Sequence, residues 1–116
     1  MTDEEITNYV NRANKGDINS ARYLHKYYEI QDNPMEIQRW EDWLVDHQDI
    51  DSMHSQSLKM LVEATNLPDS NPKKRVNLYR AKKLIDFVLK NSRNTNEAIY
   101  LRKRIILEID RSKLRK

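Results

Sequence analysis

A ten-residue segment of this chain occurs twice in altered form. Residues 19–28 read NSARYLHKYY and residues 96–105 read NEAIYLRKRI. Asn19 matches Asn96, Ala21 matches Ala98, Tyr23 matches Tyr100, Leu24 matches Leu101 and Lys26 matches Lys103, at an offset of 77 residues. A second pair, Asn33-Pro34 and Asn71-Pro72, recurs at 38 residues, close to half that offset. Periods in this range mark helical arrays, in which each unit covers the apolar face of its neighbour and the stack holds another molecule. The expected fold is therefore all-α: a short solenoid of α/α helical hairpins with about six helices, forming one domain over residues 1–116.

The glycine count points the same way. Gly16 is the only glycine among 116 residues, and β-rich folds need glycine at their turns. The helix starts are written locally. Thr2 with Glu5 has capping-box spacing, as does Asn33 with Glu36, and Asn94 with Glu97 marks a last start. Pro34 and Pro72 each follow an Asn, the order of an N-cap and a first helical residue. Gly16 can end one helix in the left-handed conformation and Asp17 can open the next. These signals predict helices at 3–14, 17–31, 34–47, 51–65, 72–91 and 95–113. Apolar residues recur at helical spacing within them: Ala21, Leu24 and Tyr28; Ile37, Trp40 and Leu44; Met53, Met60, Leu61 and Ala64; Ala81, Leu84, Ile85 and Val88; Ala98, Leu101, Ile105 and Ile109.

The net charge of +3 hides a division. Residues 1–57 hold twelve acids and five bases, a net of −7, and residues 58–116 hold six acids and sixteen bases, a net of +10. Such an asymmetry bears on partners and association rates. No apolar run approaches a membrane span, and the N-terminal MTDEEIT is acidic with no apolar stretch, so neither a membrane segment nor a signal peptide is expected. With no cysteine there is no disulfide framework and no thiolate metal site. The cytoplasm is the expected compartment.

Catalysis finds little support. A single glycine excludes a phosphate-binding loop, a dinucleotide fingerprint and a nucleophile elbow. Arg39 and His47 stand further apart than the Arg–His pairs of small helical ribonucleases. Glu41 and Asp42 are adjacent and so face different ways on a helix. The segment DHQDIDSMH gathers Asp46, His47, Asp49, Asp51 and His54. His47 and His54 lie on either side of a predicted helix break, and His54 stands where a calcium loop starting at Asp49 needs glycine. Acidic turns of this kind usually cap helices. No enzyme activity, cofactor or metal is expected.

Two surfaces remain as binding candidates. Tyr23, Tyr27, Tyr28, Trp40 and Trp43 crowd two predicted helices whose core does not need every ring. Tyr23, Tyr27, Trp40 and Trp43, with the acids Glu41, Asp42 and Asp46, form the candidate surface for a basic protein partner. In the other half, Lys73, Lys74, Arg75, Arg80, Lys82 and Lys83 cluster at the fifth predicted helix, where the first three oppose the helix dipole. Arg102, Lys103, Arg104, Arg111, Lys113, Arg115 and Lys116 follow on the sixth helix and the tail. The alternative reading is nucleic-acid binding through this basic half. A basic membrane-surface helix fits less well, since Glu97, Glu108 and Asp110 interrupt the sixth helix.

Residues 16–44, GDINSARYLHKYYEIQDNPMEIQRWEDWL, resemble a Sel1-like repeat, a relative of the tetratricopeptide repeat. Gly16, Asp17, Ala21, Leu24 and Tyr28 match the opening Gly-Asp and the inner face of that family's first helix. Trp43 falls within one residue of the aromatic in its second. His25 and Gln31 stand where the family has glycines, and its closing Ala-Ala is absent. The resemblance implies an α/α solenoid that binds proteins and carries no catalytic residues. A binding module follows as the expected function, either an adaptor or a cytosolic inhibitor of immunity type. Self-association into a homodimer is the further expectation where an incomplete array leaves an apolar end.

Overall fold

The computed structural model describes residues 1–91 and 95–114. Six α-helices fill them: α1 (Asp3–Asn14), α2 (Ile18–Ile30), α3 (Pro34–Asp46), α4 (Ile50–Thr65), α5 (Pro72–Asn91) and α6 (Asn96–Leu114). The fold is all-α, with neighbouring helices packed as hairpins: α1 on α2, α2 on α3 and α5 on α6. Each boundary lies within one residue of the predicted one, because the caps act locally. Thr2 and Glu5 form the capping box at α1. Asn33 accepts the Glu36 N–H at 3.3 Å ahead of Pro34, and Asn71 accepts the Lys73 N–H at 3.0 Å ahead of Pro72. At α6 the Thr95 hydroxyl accepts the Ala98 N–H. Of the Asn94–Glu97 start expected there, Asn94 lies outside the described residues and Glu97 stands in the first turn of α6.

The first three links share one construction. Gly16, Asp32 and Gln48 all have positive φ, at 99°, 52° and 61°. The N–H of each bonds back to the carbonyl three residues earlier, on Ala13, Glu29 and Val45. The next N–H in each link, on Asp17, Asn33 and Asp49, reaches the carbonyl five residues back, on Arg12, Tyr28 and Leu44. This double bond pattern is the Schellman motif, which satisfies the last carbonyls of the helix. The same three residues then cap the following helix with their side chains: Asp17 accepts from Asn19, Asn33 from Glu36 and Asp49 from Ser52. They recur every 16 residues, or 32 per hairpin. The 38-residue spacing seen in the sequence instead joins the caps of α3 and α5, with α4 and the longer 66–71 link between them.

The chain divides into two compact units, Met1–Ser52 and Met53–Lys116. No Asp, Glu, Lys or Arg lies between Asp51 and Lys59, so the structural division also separates the acidic half from the basic one. In the first unit Ala13, Ala21, Leu24, Trp40 and Leu44 form the buried core, with Ile6, Tyr9, Val10, Ile18, Tyr28 and Trp43 packed around it. Ala13 on α1 and Ala21 on α2 let those helices approach closely, while Trp40 supplies bulk from α3. The Asp49 carboxylate, only 3 % exposed, ties the start of α4 to α2: it accepts from Arg22 Nε at 2.8 Å and from the Ser52 hydroxyl at 2.7 Å.

In the second unit Leu78, Ala81, Ile85 and Val88 of α5 are buried, as are Ala98, Leu101, Ile105 and Ile109 of α6. From α4 come Met53, Leu61 and Ala64, and the buried Ser57 hydroxyl donates to the Ala81 carbonyl at 2.7 Å. Asp86 joins the last two helices, accepting from Lys82 on its own helix and from Arg102 Nε on α6 at 2.6 Å. Members of the repeated segment keep equivalent environments: Ala21 and Ala98 are buried, as are Leu24 and Leu101, while Tyr23 and Tyr100 are exposed. Among the described residues no helix is long and apolar enough to cross a membrane.

Two predictions follow from the links. Among the described residues a Cβ at Gly16 would meet nothing within 4 Å, so Gly16→Ala carries the backbone cost of a positive φ, about 1 kcal/mol. Gln48→Gly removes that cost and is expected to stabilise by a similar amount, read as opposite shifts of the urea midpoint. Burial by itself would raise the Asp49 pKa, but the Ser52 and Arg22 donors outweigh it and hold it below the ordinary 3.8. The stabilisation is therefore present above that pH and is lost as acid protonates the folded carboxyl. Asp49→Asn keeps the cap and loses the charge. With Arg22 half in water the expected cost at neutral pH is about 1 kcal/mol, and the gap to the parent protein closes below the ordinary carboxyl pKa.

Candidate functional site

The aromatic residues of the first unit separate into core and surface. Trp40 is 1 % exposed, packed among Leu24 and Leu44, and among the described residues its indole N–H has no hydrogen-bond partner. The Arg39 guanidinium lies 5.1 Å from its ring centroid. Trp40 was expected on the partner surface and instead belongs to the interior, because α3 turns its Trp40–Leu44 stripe onto α2. Glu41, expected beside it, is also buried. Trp43 is half-buried; it tilts against Trp40 at 6.3 Å and stacks face to face on His47 at 3.6 Å. His47 Nδ1–H donates to the Trp43 carbonyl at 2.8 Å, which fixes the stack.

Tyr23 is the exposed ring of the set, with 48 % of its surface in water, and it stacks on Tyr9 of α1 at 4.5 Å. The Arg12 guanidinium covers Tyr9 at 5.6 Å. Tyr27 meets Tyr28 edge to face at 5.1 Å, and both are half-buried. Burial, with Glu36 and Tyr27 close by, pushes the Tyr28 hydroxyl above its ordinary range, so it stays neutral. Asp42 and Asp46 are exposed on α3, where Asp42 accepts from Gln38 at 2.8 Å. Of the seven expected residues, Tyr23, Asp42 and Asp46 are exposed and Tyr27 and Trp43 are half-exposed. Tyr9 was not anticipated; its signal in the sequence is its position three residues before Arg12, on the same helix face.

The expected basic cluster also divides. Lys74 is 9 % exposed and its ammonium is paired with Asp69 at 2.7 Å. Lys82 is paired with Asp86. Lys73, Arg75, Arg80 and Lys83 are exposed. Arg75, Arg80 and Lys83 line an open cleft of about 750 Å³ that also takes in Val76, Tyr79 and, from α6, Ser112. A second groove, of about 570 Å³, lies between α4 and α6 and exposes Leu58, Val62 and Tyr100. Tyr79, Leu58 and Val62 do not stand out in the sequence, although Tyr79 sits four residues from both Arg75 and Lys83.

Among the described residues no three His, Asp or Glu side chains converge to hold a metal ion. In the DHQDIDSMH segment the Asp49 carboxylate is committed to Arg22 and Ser52, and His47 to Trp43. Compared with protein-family models, curated proteins and solved structures, the chain matches none.

Burial predicts a clean division of roles between the rings. Trp40→Ala should lower stability by about 3–5 kcal/mol. Tyr23→Ala should cost about 1 kcal/mol, the worth of one exposed aromatic pair. Urea unfolding of the two variants checks the difference.

Proposed function

We propose that the chain is a non-catalytic protein-binding module, an adaptor or an inhibitor of immunity type acting in the cytoplasm, whose acidic first unit docks a partner with a basic surface. The observation that carries this reading is Tyr23, half exposed yet held in place by its stack on Tyr9. An aromatic ring immobilised before contact loses little entropy on binding, and such rings dominate interface energetics. The net charge of −7 on the same unit would speed and orient the encounter with a basic partner. The exposed carboxylates Asp42 and Asp46 are its candidate rim. The likeness of residues 16–44 to a Sel1-like repeat points to the same role.

The test uses tagged full-length protein to capture partners from lysate of the native host after nuclease treatment. One protein retained in stoichiometric amount is expected. It should fall about tenfold or more with Tyr23→Ala, and again with Asp42→Lys plus Asp46→Lys, at unchanged helical content. Equal capture by parent and variants, or material lost entirely to nuclease, would overturn the reading.

A further inference from the structure

The cleft on α5 lies in the other unit and carries a separate inference. Arg75, Tyr79 and Lys83 succeed one another at four-residue intervals, and Val76 and Arg80, four apart, flank them, with Arg80 three residues before Lys83. All five side chains line the cleft. Intervals of three and four place them on one face of the helix. Arg75 to Lys83 spans about 12 Å of helix axis, the reach of about three stacked nucleotides.

Three properties of this face set it apart from an ordinary solvated charge run. First, the cations are uncommitted: among the described residues Arg75, Arg80 and Lys83 form no ion pair, whereas Lys74, Lys82 and Arg102 each have a carboxylate. Among the described residues that line the cleft the one acid is Asp69, and it is paired with Lys74. Second, Arg75 with Lys73 sits in the first turn of α5, where positive charge is unfavourable for the helix itself. A bound anion would relieve that repulsion and meet the positive end of the dipole. Third, Tyr79 is 45 % exposed in the middle of the charge. A phosphorylated or acidic peptide would use the cations but has no general need of a flat ring between them. A nucleic-acid strand with unpaired bases uses both, placing phosphates on the cations and a base on the ring. In a duplex the base faces are already stacked and do not reach Tyr79.

We infer that the α5 cleft binds single-stranded nucleic acid, with Arg75, Arg80 and Lys83 on successive phosphates and Tyr79 stacked on a base. This site is independent of the protein-docking surface on the first unit.

Fluorescence anisotropy on the full chain tests it, with labelled oligodeoxyuridylate and oligouridylate of about 12 nucleotides and a duplex of equal length. Both single strands should bind more tightly than the duplex, and the preferred sugar identifies DNA or RNA as the source of the ligand. Tyr79→Ala should weaken binding at least about fivefold without altering the salt dependence, and Tyr79→Phe should restore it. Replacing Arg75, Arg80 and Lys83 by Gln should flatten the slope of log affinity against log salt by about 2, the share of three phosphates on a single strand. These side chains are exposed, and circular dichroism and the urea midpoint check that each variant is folded. Duplex bound as tightly as single strand, affinity indifferent to Tyr79, or an unchanged salt slope in the triple variant would each overturn the inference. So would equal binding of a multiply phosphorylated peptide that does not depend on Tyr79.

Discussion

The first unit depends on a two-residue link that closes one helix and opens the next. Four carbonyls at one helix end and four N–H groups at the next have no partners within their own helices. In each of the first three links a left-handed residue and the Asp or Asn after it satisfy part of both sets. No separate loop is needed, so α1 and α2, and likewise α2 and α3, turn back on one another across three residues. That constraint brings Ala13 against Ala21 and sets Trp40 into the space beside Leu24. At the third link the capping Asp49 also receives Arg22 from α2, so one carboxylate joins the link to the body of the unit.

Where the link sequences differ, their physical demands do not. Gly16 adopts positive φ without cost, Asp32 is a tolerated occupant, and Gln48 is an unfavourable one. The second unit joins its helices differently. Its 66–71 link is longer and contains Pro68, and α5 and α6 are longer than any helix of the first unit. There the side chains Ser57 and Asp86 join neighbouring helices where the first unit uses its compact links.

Much of this was legible in the sequence wherever the cause is local. Asn-Pro pairs, the Thr2–Glu5 box and the Gly16-Asp17 step act through neighbouring residues, so the helix ends could be placed from them. The apolar stripes were legible too, because helical periodicity fixes which residues share a face. What escaped depends on three-dimensional neighbours. Periodicity puts Trp40 and Trp43 on adjoining flanks of one helix, and only the position of α2 decides that Trp40 is enclosed. Lys74 looks like any other member of a basic run until Asp69, five residues back across a turn, folds onto it. The 16-residue recurrence of Asp17, Asn33 and Asp49 was present in the sequence, but Asp32 and Gln48 lack the glycine signal that drew notice to Gly16.

The placement of the two tryptophans has a spectroscopic consequence. Trp40 and Trp43 are the only indoles in the chain, and both lie on α3. Selectively excited indole emission therefore reports on the first unit, whereas far-ultraviolet circular dichroism sums helices from both. The pair also contains its own contrast: Trp40 is sealed in the core and Trp43 lies against the His47 imidazole. Comparing the two signals across a denaturant series asks whether the acidic and basic units melt as one cooperative body or as two.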